Sequence, residues 1–324
     1  MQSSLRGRSV RSIDSLSLDE VQTVLRTTEL LKMRHKSGKE EKLLDGKVVA
    51  CIFQKPSTRT KVSFLSGISE LGGTALYLDA RDMQLGRGET IEDTARVLSR
   101  FVDAIVARVK RDEDIDMLIK YGSVPIINAL SADYHPCQAL ADLFTMYEHL
   151  PQIVGLKISN YKGLKITFTG DGTDNMAHVV MRMAVKLGMH VSVACPHEYW
   201  PAQTIIDEVT ATAKKTGSKV EITDDIYAAA KGADVLYTDT FVSMGEETKG
   251  EETLQKKLDS LKHYILDEKV VAAAPRGVLV MHPLPAHRGN EISAGLMDAS
   301  DAVMWDEAEN RKHVQKALLS LILA

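Results

Sequence analysis

The sequence predicts an α/β protein of two similar domains, each a parallel sheet with helices on both faces. Two observations carry that prediction. Short β-rich apolar runs alternate with helical stretches along the whole chain, as they do when crossover helices connect parallel strands. The alternation also falls into two series, parted by a long helical stretch and the turn-rich "ISNYKG" at 158–163. At 324 residues the chain has room for two domains of ordinary size.

The elements follow in order. An Arg- and Ser-rich start, "MQSSLRGRSVRS", resembles a short transit peptide, but Ser17 and Glu20 form a capping box and an amphipathic helix begins at once. The expectation is an ordered or frayed start to a cytoplasmic protein. Strands are expected at 47–53, 74–79, 104–109 and 124–129 in the first series. "VSFLSGISELGG" and "TIEDTARVLSRFV" read as helices between them, and "PCQALADLFTMYEHLPQIVG" as the long helix that closes the series. The second series has strands at 164–170, 190–196, 219–223, 234–239 and 277–283, and the two domains join near 145–160. The last segment, "NRKHVQKALLSLILA", is a helix with apolar residues spaced to pack on something.

Composition excludes several classes. The net charge is -4 and aromatics are 5%, so nothing points to nucleic acid. No apolar run has the length of a membrane span. The three cysteines, Cys51, Cys137 and Cys195, form no CxxC pair, which fits a reducing compartment and no cysteine zinc site. His282 and His287 lack a third ligand at useful spacing, so no metal is expected.

The informative residues stand at the carboxyl ends of the strand-like runs, where ligands bind in such sheets. After the first run comes "STRT", Ser57, Thr58, Arg59 and Thr60, at a strand-to-helix turn. Unpaired N–H groups and the helix dipole already favour an anion there, and hydroxyls with a guanidinium make a phosphate cradle. A capped helix with solvated charges is the plainer alternative. Arg108 closes the third run and needs either an anion or a route to water. His135 and Gln138 open the helix after the fourth run. A histidine at a helix N-terminus is biased neutral and can donate one hydrogen bond, unless it is a satisfied structural residue.

In the second series "GDGTDN" suggests a dinucleotide turn, but the third glycine position holds Asn175. The next strand ends in Cys195 and Pro196, where a ribose-binding acid would stand. Asn175, Asp171 and Asp174 suit a zwitterionic substrate better. Asp239, followed by Ser243, Met244 and Gly245, offers a carboxylate to an ammonium group, or merely caps a loop. Pro283 and Pro285 forbid helix and leave the carbonyls around Leu284 as acceptors.

With these residues in order, "FQKPSTRTKVSF", "MQLGRGET", "VARV", "HPCQALADLFT", "GDGTDNMAH", "DTFVSMGEE", "HPLPAHRG" and "WDEAENR" resemble the motif series of the aspartate/ornithine carbamoyltransferase family, across about residues 10–320. The resemblance implies a carbamoyl-phosphate-binding domain over 1–150, rejoined by a C-terminal helix at 306–324, and an ornithine-binding domain over 151–305. It assigns carbamoyl phosphate to Ser57, Thr58, Arg59, Thr60, Arg108, His135, Gln138, Pro283, Leu284 and Arg311, with Gln84 reaching the site of a neighbouring subunit in a homotrimer. L-ornithine falls to Asn175, Asp239, Ser243 and Met244. The reaction so implied needs no cofactor and no metal, and Arg59, His135 and the residue at 283 stand closest to the chemistry.

One departure matters. Ornithine enzymes of the family usually read His-Cys-Leu-Pro, and here Pro283 replaces the thiol, as in the aspartate enzymes. The Ser-Met-Gly loop and "AHRG" still favour ornithine, and a carboxylate at 239 would repel a substrate with two carboxylates. The expectation is that the backbone carbonyl at 283 suffices for binding, with amine deprotonation left to solvent or Asp239. The alternatives are a carbamoyltransferase for another amine, such as putrescine, and a non-catalytic binding relative.

Overall fold

The computed structural model describes residues 4–243, 246 and 250–324. It divides into two compact units: residues up to Phe144 with Glu309–Ala324, and Thr145–Ala308.

The first unit holds strands β1 (Val48–Phe53), β2 (Thr74–Asp79), β3 (Ala104–Arg108) and β4 (Ile126–Leu130). They form one parallel sheet in the order β2-β1-β3-β4. Its helices are α1 (Leu18–Lys36), α2 (Thr58–Glu70), α3 (Ile91–Leu98), α4 (Asp112–Tyr121) and α5 (Pro136–His149). Alternate strand residues explain why both sheet faces are covered. Ala50, Ile52, Ile105 and Ala107 pack with Ala95, Ile115 and Leu118 of α3 and α4. Val49, Cys51 and Val106 point to the other face and are equally buried.

The expected capping box is present: the Glu20 N–H donates to Ser17 Oγ at 3.2 Å, and the Ser17 N–H to Glu20 Oε2 at 2.8 Å. From residue 4 onward the early part of the chain is ordered. Leu5 is buried, the Gly7 N–H donates to the Ile322 carbonyl at 3.0 Å, and Val10 bridges Ile127 beside β4.

The second unit carries β5 (Lys165–Thr169), β6 (His190–Ala194), β7 (Val220–Thr223), β8 (Val235–Thr238) and β9 (Leu279–Met281). They also form a parallel sheet, ordered β7-β6-β5-β8-β9. Its helices are α6 (Asn175–Lys186), α7 (Gln203–Thr216), α8 (Ile226–Ala230), α9 (Glu251–Leu261), α10 (Glu268–Ala273) and α11 (Ala294–Met297). The last helix, α12 (Met304–Leu323), contributes its residues from Glu309 onward to the first unit. There Val314, Ala317, Leu318, Leu319 and Ile322 are buried, which accounts for the apolar spacing of the final segment.

Both strand orders reverse direction once, between β1 and β3 in the first sheet and between β5 and β8 in the second. At such a point successive connections leave on opposite sides and open a crevice at the carboxyl ends. Phe53 pairs with Arg108, and Thr169 with Thr238, so the chain segments that follow these strand ends border the two crevices.

Candidate active site

In the first unit, β1 leads into Ser57, which caps α2 by accepting from the Thr60 N–H at 3.2 Å. A serine N-cap ties only part of the open first turn, so donors remain for an anion. Thr58 is exposed, Ser57 and Arg59 are half-buried, and Thr60 is buried. The capping alternative and the cradle are therefore compatible, because the cap uses only the Ser57 hydroxyl.

Thr60 is the meeting point. Arg108 Nη1 donates to its Oγ1 at 3.5 Å, and Arg311 Nη2 donates to the same atom at 3.3 Å. A guanidinium can only donate, so the Thr60 oxygen accepts twice and keeps its own proton to give. Arg311 Nη1 donates to Gln138 Oε1 at 2.6 Å, and Gln138 Nε2 donates to Asp142 Oδ1 at 2.7 Å. That chain sets which end of the Gln138 amide faces the arginine. Asp142 went unread in the sequence, although its i+4 spacing from Gln138 on one helix was the available signal.

The electrostatics are those of a site built for negative charge. Arg108 is 3% exposed, and burial with the Arg311 and Arg59 guanidiniums pushes its pKa down to about 10. Its Nε is buried without a hydrogen-bond partner among the described residues. Of the two readings of Arg108, the route to water fails. His135 precedes α5 and is buried; burial, then Arg311 and Arg108, hold its pKa well below the ordinary histidine value. Its ring is therefore neutral at neutral pH, and Nδ1 has no hydrogen-bond partner among the described residues. Crowded cations and an unengaged neutral imidazole are stabilised together by an anion. Gln84 lies apart, exposed at the start of a 3-10 turn over Gln84–Arg87.

In the second unit, Asn175 begins α6 directly after the "GDGTD" turn, and Asp239 follows β8. Asp239 Oδ1 accepts from the Thr240 N–H at 2.7 Å, so it does shape its own loop. Ser243 Oγ donates to Asp174 Oδ2, whose other oxygen accepts from the Met176 N–H at 2.7 Å and caps α6. Burial pushes the Asp174 carboxyl above its usual range, with Asp171 adding to the rise against the pull of Ser243. Asp171 accepts from Thr173 and pairs with Lys257 Nζ at 2.6 Å; Lys257 also pairs with Glu246 at 2.7 Å. Asp171 and Asp174, read as suited to a substrate, are thus engaged by the chain's own groups. Lys257 went unread because Asp171, which it pairs with, is far away in sequence, and Glu246 went unread with it. Met244 lies outside the described residues.

Leu284 stands at φ +59°, a left-handed conformation, between half-buried Pro283 and a cis bond to Pro285. Its N–H donates to His282 Nδ1 at 2.9 Å. His282 Nε2 lies 3.3 Å from Glu291, toward which His287 Nδ1 also turns at 3.7 Å. The two histidines are organised by a buried carboxylate. Among the described residues one group, His35, Glu40 and Glu70, is close enough to hold a metal ion. Lys312 and Lys316 already donate to Glu70, and Lys316 to Glu40, so the chain meets that charge itself.

Residues 8–148 match the aspartate/ornithine carbamoyltransferase carbamoyl-P binding domain, and residues 162–322 the Asp/Orn binding domain. The chain is 47% identical over 320 residues to ornithine carbamoyltransferase of Pyrococcus abyssi, covering 99% of this chain and 97% of that one. It is 45% identical to the anabolic ornithine carbamoyltransferase of Pyrococcus furiosus, with 99% and 98% covered. The solved structure of the Pyrococcus furiosus ornithine carbamoyltransferase matches with a TM-score of 0.90 at 44% identity, covering 100% of this chain and 99% of that chain. The anabolic ornithine carbamoyltransferase of Campylobacter jejuni matches at 0.86 and 36% identity, with 96% and 97% covered. With both domains matched in order and relatives this similar along nearly the whole length, the chain belongs to the aspartate/ornithine carbamoyltransferase family.

Proposed function

We propose that the protein transfers the carbamoyl group of carbamoyl phosphate to the δ-amine of L-ornithine, giving L-citrulline and phosphate. The observation that carries the reading is the meeting of Arg108 and Arg311 on the Thr60 hydroxyl, at the open end of α2 and beside neutral His135. Such a site fits a compact substrate that is anionic at one end and carbonyl-bearing at the other. A relative named ornithine carbamoyltransferase, at 47% identity, supports ornithine as the acceptor.

In this reading Ser57, Thr58 and Arg108 bind the phosphate. Arg59, Thr60, His135 and Arg311 donate to the carbonyl oxygen, where negative charge grows as the amine adds. Donors fixed in advance at that oxygen lower the barrier because they need not reorganise. Neutral His135 donates one N–H without itself carrying charge into a crowd of cations. Gln138 and the carbonyls at Pro283 and Leu284 accept from the carbamoyl NH2. Asn175, Asp239, Ser243 and Met244 hold ornithine, with the Asp239 carboxylate suited to a substrate ammonium group. Orientation of two bound reactants supplies much of the rate without a covalent intermediate. With Pro283 in place of a thiol, the δ-amine loses its proton to solvent or to Asp239.

Gln84, exposed in its own subunit, serves a neighbouring site in a homotrimer. The three cysteines are buried free thiols, which fits a reducing cytoplasm, and no described helix is long and apolar enough to cross a membrane. The relative named anabolic favours the direction of arginine synthesis. The test is product formation from carbamoyl phosphate with ornithine, putrescine and aspartate offered separately. Ornithine alone should turn over. Putrescine turnover would remove the carboxylate-binding role of Asn175, aspartate turnover would overturn the acceptor, and silence with all three would leave a binding protein.

A further inference from the structure

Thr60, Ser63, Gly67 and Glu70 recur at i, i+3, i+7 and i+10 along α2 and so lie on one face of that helix. The same face meets α12 twice. Near its start Thr60 accepts from Arg311, and at its end Glu70 accepts from Lys312 at 2.9 Å and Lys316 at 2.7 Å. Lys316 is 1% exposed and also donates to Glu40 at 3.1 Å, so its ammonium is held by two carboxylates out of solvent. Between the two contacts Gly67 lets the helices close: a Cβ there would stand 3.1 Å from Lys316 Cγ.

We infer that Glu70, through Lys312 and Lys316, is a positioning residue that sets α12 against α2 and thereby holds Arg311 at the carbonyl end of the bound substrate. The inference rests on the proposed function. Arg311 is tied to Thr60 and Gln138 by its own tip, but the rotation and slide of α12 decide where its stem begins. The lysine stems, close-packed on Gly67, resist the slide, and the ion pairs resist the rotation. Displacement of a reacting-site group by about 1 Å costs on the order of 10²-fold in rate, so a clamp some turns away acts on chemistry.

The experiment compares Glu70→Gln with the parent full-length protein, using inorganic phosphate and phosphonoacetamide as calorimetric probes. The first reports the phosphate end alone; the second adds the carbonyl and amide. For Glu70→Gln, phosphonoacetamide should weaken about fivefold or more and kcat should fall about tenfold or more. Inorganic phosphate affinity and the KM for ornithine should stay within about twofold. Lys312→Arg, which keeps the pair, should match the parent in all four readings. Equal weakening of both probes would mean general loosening of the unit and would overturn the inference, as would no change in either. If Glu70→Gln fails to fold, Gly67→Ala, which presses on the same lysine stem, carries the same expected split and the same overturning outcomes. A parent protein that binds neither probe would overturn the proposed function itself, a result visible before any variant is made.

Discussion

Arg108 is buried at the end of β3, and burial with the Arg311 and Arg59 charges pushes its pKa down to about 10. A cation whose folded pKa lies below its ordinary value is destabilising wherever it stays charged, which covers every pH of interest. An apolar side chain of similar length should therefore make the ligand-free protein more stable. Arg108→Met is expected to raise unfolding stability by about 0.5–2 kcal/mol, the usual gain when a functional strain is removed. It should also abolish the stabilisation by phosphate, which for the parent is about 2.7 kcal/mol at a concentration 100 times Kd. Thermal melts with and without inorganic phosphate check both halves, and a lower melting point for ligand-free Arg108→Met would refute the account. Arg108, Thr60 and His135 were legible because they stand at or just after the carboxyl ends of apolar strands, whereas Arg311, on α12, came only from the motif resemblance. The direction of the Gln138 amide was not legible, since it depends on Arg311, which is 173 residues away.

At the scale of elements, the "GDG" turn after β5 shows what pattern reading could and could not deliver. The turn itself was legible, and so was the failure of the dinucleotide pattern. The reason for the glycines was hidden, because their neighbours come from other segments. A Cβ on Gly172 would lie 2.6 Å from the Tyr199 carbonyl, 2.9 Å from Cys195 Sγ and 2.9 Å from Pro201 Cδ. Gly170 has φ +121°, and its Cβ would meet Phe241 at 2.7 Å. The second glycine thus makes room for the chain's own backbone, where in a dinucleotide fold it would make room for a pyrophosphate. Gly172→Ala should cost about 1–3 kcal/mol through overpacking and raise the KM for ornithine, since Asn175 and the Asp174 carboxylate that holds Ser243 follow in the same turn. Gly217→Ala is the control: φ is +83° but nothing lies within 4 Å, so it carries backbone strain without the packing clash and should leave that KM unchanged. Denaturant titration with acceptor kinetics tests the pair, and an unchanged KM in Gly172→Ala would separate the turn from substrate binding.

Over the whole molecule, the alternation of strands and helices predicts parallel sheets but not their strand order. Orders β2-β1-β3-β4 and β7-β6-β5-β8-β9 are each one of several that the same alternation permits, so the crevices at the β1/β3 and β5/β8 reversals emerge only from pairing. The destination of the final helix was equally silent in its periodicity, which marks an apolar face without naming its partner. The structure gives residues from Glu309 to the first unit, where Val314, Leu318, Leu319 and Ile322 are each at most 1% exposed. Burying one such side chain is worth about 1.5–3 kcal/mol, so the four together approach the roughly 5–15 kcal/mol that holds a domain folded. Loss of Lys316 would also strand Glu70, whose carboxyl the Lys316 and Lys312 ammoniums hold down at about 2 against the opposing effect of burial. A chain ending at Ala308 should consequently lose the first unit while Thr145–Ala308, with its own sheet and buried cluster around Leu236, Phe241 and Leu266, stays folded. Hydrogen exchange resolved by peptide would show protection gone from β1, β3 and β4 and retained in β5, β6 and β8. Parent-like protection in β1 and β3 of the truncated chain would mean that the first sheet carries its own stability and that the final helix contributes Arg311 and little else.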